Sequence, residues 1–248
     1  MLFIAHRGES YDAPENTLSA INLAWQRDDD AVEIDVHLSH DNHIVVIHDS
    51  HTGKLDGRYL PIRKLSLAEL KRLDAGSYRG EQWTNERIPT LEEVLQTVPP
   101  NKKLIIEIKS AASIFKPLQR ALEDFKLYPE QIQLIGFELS VMAQAKRLFP
   151  KLEIFWVRDI RHFNHISHWQ PELQYLIQRS RQAKLDGLDV SQQPIIDARF
   201  VSLVKTAGLK LYIWVVNELE IAKKLIAAGV DGITSDRAHW LKQQLAAL

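Results

Sequence analysis

Short apolar runs recur along the chain, with helix-period patterns between most of them. "LFIA" opens the series near the N-terminus. "AVEIDV" (31–36), "IVVIHD" (44–49), "KLIIEIK" (103–109), "IQLIGF" (132–137), "LEIFWV" (152–157), "LDGLDV" (185–190), "LKLYIWVV" (209–216) and "VDGIT" (230–234) follow. Their length predicts buried strands, as does their content of Val, Ile and aromatic residues. In "TLSAINLAWQR" (17–27), Leu18, Ile21, Leu23 and Trp25 carry helical spacing behind Thr17, a good N-cap. Similar patterns predict helices over 114–126, 139–149, about 168–183, 197–207, 218–228 and about 236–247, and "PTLEEVLQTV" starts another.

Strand alternating with helix predicts a parallel sheet in an α/β fold. Nine strand candidates are one too many for an eight-stranded barrel, and the connections remove one. A parallel crossover needs a dozen or more residues, yet only "SHDNH" separates the second and third runs. Residues 44–48 therefore return antiparallel on the extended second strand, and the remaining eight fit a closed (β/α)8 TIM barrel. Residues 50–89 break the rhythm, being polar and turn-rich with one helical piece at 66–73. They read as a small insertion between strand 2 and helix 2 of a single barrel domain spanning 1–248.

Composition narrows the function classes. Of the 248 residues, 31 are basic and 32 acidic, a net charge of -1 that lacks the electrostatic footprint of a nucleic-acid or membrane-surface binder. Without cysteine, disulfides and thiolate metal sites are excluded. No apolar run approaches the roughly 20 residues of a membrane span. Met1 runs straight into "LFIAHRG" with no room for a signal peptide, so a cytoplasmic protein is expected. Oligomeric state leaves no signal.

Barrel active sites form at the C-terminal strand ends, and the polar residues gather there. Strand 1 ends in His6-Arg7, the hairpin returns to His48-Asp49, strand 7 carries Trp214 and ends in Asn217, and strand 8 leads to Ser235-Asp236. Residues i and i+2 of a strand share a face, so Glu33 points with Asp35, and Glu107 with Lys109. Any two of these are equally consistent with a buried ion pair. Three inward acids against one lysine leave negative charge, which a hard cation with oxygen ligands, Mg2+ or Ca2+, resolves. Zinc is disfavoured for want of a tight histidine cluster. His6 and His48 each end an apolar strand beside another polar group and suit acid–base work near neutral pH. His37, His40, His43 and His51 around the hairpin, and His162, His165, His168 and His239 elsewhere, read as ordinary core or surface residues. Arg7 offers a donor fork for phosphate, and Gly8 allows a sharp turn.

These residues, in this order, resemble the glycerophosphodiester phosphodiesterase family over nearly the whole chain. The resemblance is carried by "AHRG", "APENTL", "EIDV" and "VVIHD", then "LDAGSY" with "IPTLEEVL", and finally "IEIK", "WVVN" and "DGITSD". It implies a divalent metal on Glu33, Asp35 and Glu107, an acid–base pair of His6 and His48, and Arg7 and Lys109 on the phosphate of a small glycerophosphodiester. Glu15 and Asn16 of "PEN" would shape the same pocket, and Trp214 would line the substrate site. Ser39 and Asn42 depart from the family's Thr and Gly, "GFE" (136–138) from its Ser-Phe, "TSD" from its Thr-Asp, and the insertion looks short. The chemistry expected is hydrolysis to sn-glycerol 3-phosphate and an alcohol. Two alternatives are the same chemistry on lysophospholipids, with Tyr59, Leu60, Tyr78 and Trp83 as an apolar lip, and a non-catalytic barrel that binds phosphoesters.

Overall fold

The computed structural model describes residues 1–125, 128–165 and 169–247. Nine strands form its sheet: β1 (Leu2–His6), β2 (Ala31–Leu38), β3 (Ile44–Val46), β4 (Lys103–Ile108), β5 (Ile132–Gly136), β6 (Glu153–Arg158), β7 (Gly187–Ser191), β8 (Lys210–Trp214) and β9 (Gly232–Ser235). All but β3 run parallel. β1 closes the barrel by pairing with β2 through His6↔Glu33 and with β9 through Ile4↔Thr234. β3 returns antiparallel on β2, Val36 facing Val46, as the five-residue connection requires.

Ten helices accompany the strands among the described residues: α1 (Leu18–Gln26), α2 (Gly53–Asp56), α3 (Leu67–Leu70), α4 (Leu91–Leu95), α5 (Phe115–Phe125), α6 (Leu139–Leu148), α7 (Gln170–Gln182), α8 (Ala198–Thr206), α9 (Leu219–Ala228) and α10 (Ala238–Ala246). Thr17 caps α1 as its sequence predicts, accepting from the Ala20 amide. Of the expected helix 114–126, Lys126 lies outside the described residues, as does His168 from the helix expected over about 168–183. None of the described helices is long and apolar enough to cross a membrane.

Two apolar layers hold the barrel. Inside it, Ile4, Ala31, Ile105, Ile135, Phe155, Val157 and Tyr212 pack together. A larger layer, with Ile34, Ile106, Leu188, Val190, Phe200 and Leu241, fills the space between strands and helices. The strict alternation of β2 and β4 follows from these two environments. The insertion has a small core of its own, with Val45, Ile62, Leu70 and Ile88 against one another.

The local differences from expectation have side-chain causes. The helix expected over 66–73 is a single turn, opened by a Ser66–Glu69 capping box, and the chain turns soon after where Asp74 accepts from the Gly76 and Ser77 amides at 2.8 Å each. The strand expected from 185 starts at Gly187, because Asp186 turns its carboxylate onto Lys146 and the Ile154 amide. The returning hairpin strand stops at Val46.

Candidate active site

The exit from β1 is built around Gly8. Its φ is +80°, and a Cβ there would meet the Ala20 carbonyl carbon at 2.5 Å and the Ile21 nitrogen at 2.7 Å. Only glycine lets β1 turn this tightly against the start of α1. Arg7 is also left-handed, at φ 57°, and its amide donates to Glu33 Oε2 at 3.1 Å. His6 is thereby left on the inner face beside β2.

Strand register assembles the acids. His6 faces Glu33 across the β1–β2 ladder, and Asp35 faces Glu107 across β2–β4. Oxygens of Glu33, Asp35 and Glu107 lie within 4.8 Å of one another, and all three residues are buried. Lys109 Nζ sits 3.0 Å from Asp35 and 2.5 Å from Glu107, and Arg7 Nε lies 3.1 Å from Asp35. Asn16, left-handed at φ 57°, turns its amide onto the same carboxylate: Nδ2 donates to Asp35 Oδ2 at 2.8 Å and Oδ1 accepts from the Asp35 amide at 3.1 Å.

The cluster divides its charge unevenly. Burial alone would raise Asp35, but Lys109 and Arg7 outweigh it and hold the carboxyl down to about 2. Burial pushes Glu33 well above the carboxylate range, helped by the charges of Asp35 and Glu107. Glu107 is raised by burial and by Asp35, and Lys109, despite its own burial, is raised by the two acids it touches. Glu33 Oε1 is buried with no hydrogen-bond donor among the described residues. Three hard oxygen donors, one of them unsatisfied, fit a divalent cation that would let all three acids ionise together.

Both histidines are braced by carboxylates. His6 Nδ1 lies 2.7 Å from Asp236 Oδ1, and His48 Nδ1 lies 2.8 Å from Asp49 Oδ1. Asp236 is itself held by Asn217 Nδ2 at 2.7 Å and Ser10 Oγ at 3.1 Å. Burial opposes its charge, but His6 outweighs that and its pKa falls to about 2. With Nδ1 committed to a carboxylate, Nε2 is the nitrogen available for proton exchange on each ring.

One pocket brings His6, His48, Arg7, Glu33, Glu107 and Lys109 together, walled by Phe137 and Trp214. The two rings meet edge-to-face at 6.0 Å, and Trp214 Nε1 donates to the Asp189 carbonyl at 3.3 Å. Glu15 and Asn16 stand behind this pocket and line the adjoining cleft under the insertion. Glu15 accepts from Arg7 Nη1 at 3.0 Å and pairs with Lys54 at 2.9 Å, so it fixes the arginine. Sequence reasoning collected Asp49, Asn217 and Asp236 at the strand ends without giving them partners, and it passed over Asp189. The adjacency of His48 and Asp49 was a usable signal; the His6–Asp236 pair spans 230 positions and needs barrel closure to be seen.

Comparison with known proteins places these features in context. The sequence model described as "Glycerophosphoryl diester phosphodiesterase family" matches residues 6–239. A glycerophosphodiester phosphodiesterase of Caldanaerobacter subterraneus subsp. tengcongensis is 32% identical over 240 residues, covering 95% of this chain and 93% of that protein. An Oleispira antarctica phosphodiesterase, solved in complex with the product sn-glycerol-3-phosphate, superposes with a TM-score of 0.84 at 32% identity, covering 98% of this chain and 96% of its own. A glycerophosphodiester phosphodiesterase of Thermotoga maritima shares the fold with a TM-score of 0.78 at 23% identity, over 98% of each chain.

Proposed function

The chain belongs to the glycerophosphoryl diester phosphodiesterase family, and from that premise we propose that it hydrolyses glycerophosphodiesters to sn-glycerol 3-phosphate and an alcohol. The observation that carries this reading is the convergence, in one pocket, of two carboxylate-braced histidines and a buried three-acid cluster. The barrel and its insertion act as one domain in this reading.

Glu33, Asp35 and Glu107 are the residues that would hold one divalent cation, Mg2+ or Ca2+, which when bound polarises the phosphoryl oxygens. Arg7 is fixed by Asp35 and Glu15 through Nε and Nη1, so Nη2 is the donor it offers a phosphate oxygen. Lys109 carries a permanent charge beside the same oxygens. One histidine takes the proton of the attacking oxygen through Nε2, and the other gives a proton to the leaving alkoxide. A P–O bond to the attacking oxygen forms as the P–O bond to the alcohol breaks, and the proton lost on one side is matched by the proton gained on the other. The attacking oxygen is that of water, or that of the substrate's own glycerol hydroxyl followed by water. Trp214 lines the substrate side of the pocket, and Asn16 and Glu15 hold Asp35 and Arg7 in place.

The test is release of glycerol 3-phosphate from glycerophosphocholine across a series of divalent metals. His6→Ala and His48→Ala should each lower turnover at least ~100-fold, and a chelator should abolish it until Mg2+ or Ca2+ is restored. Near-wild-type activity in either variant, or full activity in chelator, would overturn the assignment.

A further inference from the structure

Beside the histidines and acids, the same pocket is lined by Ile135, Val157, Asp189 and Thr234. Asp189 lies on β7 between Val157 and Tyr212 in register, facing inward while Leu188 and Val190 join the outer apolar layer. It is only 3% exposed, and its Oδ1 has no hydrogen-bond partner among the described residues. The large majority of buried polar side-chain atoms are paired. A carboxyl left open toward a pocket, with apolar neighbours in register, therefore indicates a partner that arrives with the ligand.

Resting on the phosphodiesterase reading above, we propose that Asp189 is the specificity residue for the glycerol arm, hydrogen-bonding one of its free hydroxyls within the pocket. A phosphodiester has two arms. With its phosphate among Arg7, Lys109 and the acids, one arm reaches toward Asp189 and the other away from it. The lining around Asp189 offers the apolar Ile135, Val157 and Trp214, with Asp189 and Thr234 as its short polar side chains. That composition suits a three-carbon polyol, whose carbons pack and whose hydroxyls need a partner. Burial, and then the charge of Glu107, push the Asp189 carboxyl well up. A carboxyl accepts from a hydroxyl in either state, and when protonated it also donates.

A site built to pair a hydroxyl discriminates strongly against the analogue that lacks it, because its own polar group is then stranded. Binding of sn-glycerol 3-phosphate and of n-propyl phosphate, measured by calorimetry with divalent metal supplied, isolates this effect from the chemical step. The wild type should bind glycerol 3-phosphate at least ~20-fold tighter than propyl phosphate. Asp189→Asn keeps a donor and an acceptor and should retain most of that preference. Asp189→Val should lose it through weaker glycerol 3-phosphate binding, with propyl phosphate within ~3-fold of wild type. If Asp189→Val does not fold, judged by circular dichroism, Asp189→Ala carries the same expectation. Unchanged preference in the apolar variant, or equal weakening toward both ligands, overturns the proposal. Turnover of glycerophosphocholine by the wild type is measured alongside. Turnover without any preference for glycerol 3-phosphate sinks the subsite and leaves the phosphodiesterase reading standing. Preferential binding without turnover sinks the phosphodiesterase reading and leaves the subsite.

Discussion

Replacing Asp29 by asparagine should make the protein's stability less dependent on pH. Asp29 and Glu9 are both fully buried where the end of α1 meets α10. Glu9 is well supplied, accepting from Arg27 Nη1 at 2.7 Å and from the His239 amide at 3.0 Å. Among the described residues, neither oxygen of Asp29 has a donor. As two carboxylates the pair has nothing to share, but with one proton between them Asp29 can donate to Glu9. Burial, then the charge of Glu9, raises the Asp29 pKa from 3.8 to about 9, against the pull of Lys242. The sign follows directly. Between those two values the folded protein holds a proton that the unfolded chain has released, so stability is fullest below the unfolded pKa and falls as pH rises toward the folded one. One proton gives a slope of about 1.4 kcal/mol per pH unit. From pH 5 to pH 8 the wild type should therefore lose about 4 kcal/mol relative to the variant, a large share of the ~5–15 kcal/mol that holds a domain folded. Asparagine has the same shape, and its amide donates to Glu9 at any pH. The assay is urea unfolding of both proteins at pH 5, 6, 7 and 8, read as the difference between them, which cancels the other titrating groups. Parallel curves, differing by less than ~0.3 kcal/mol per pH unit, would show that Asp29 ionises freely and that the shared-proton account is wrong.

Two further changes test the site's frame. Gly8→Ala places a methyl 2.5 Å from backbone in a left-handed conformation, and should cost about 2–4 kcal/mol in urea unfolding from the φ penalty plus overpacking; a cost under ~1 kcal/mol would mean the β1 exit can relax. Asp236→Asn leaves His6 in place but removes the charge that steadies its imidazolium, so kcat on glycerophosphocholine should fall at least ~10-fold with KM changed far less; equal losses in kcat and 1/KM at lowered Tm would indicate a structural role instead.

The barrel was legible because each strand is a short run rich in apolar residues and most runs are separated by a helix-period pattern. The hairpin was legible from arithmetic, since five residues cannot carry a parallel crossover. The same two-residue period showed that Glu33 and Asp35 share a face, as do Glu107 and Lys109, which is most of the acidic cluster. What the period cannot show is what stands opposite a face. Three carboxylates against one lysine read as a surplus of negative charge, yet the fold brings Arg7 onto Asp35 as well. The left-handed turn at Asn16 brings its side chain onto Asp35 at hydrogen-bond distance, a contact that the resemblance of "PEN" to the family did not specify.

Asp236 and Asp189 escaped for opposite reasons. Asp236 was visible as a polar strand end, but its partner His6 sits at the far end of the chain, and only the β1–β9 ladder joins them. Asp189 was hidden inside "LDGLDV", where an acid on a strand looks like the polar half of an ordinary alternation. In a barrel covered by helices neither strand face meets water, so that alternation separates two buried environments instead of inside from outside. A charged residue there must find a partner on one face or the other. Glu33, Asp35 and Glu107 find Arg7 and Lys109 and still leave an oxygen open, and Asp189 Oδ1 finds no partner among the described residues. The inward acids of this barrel are thus incomplete in the same way, which is the physical mark of a binding site: the fold leaves polar groups whose last contacts come from outside it.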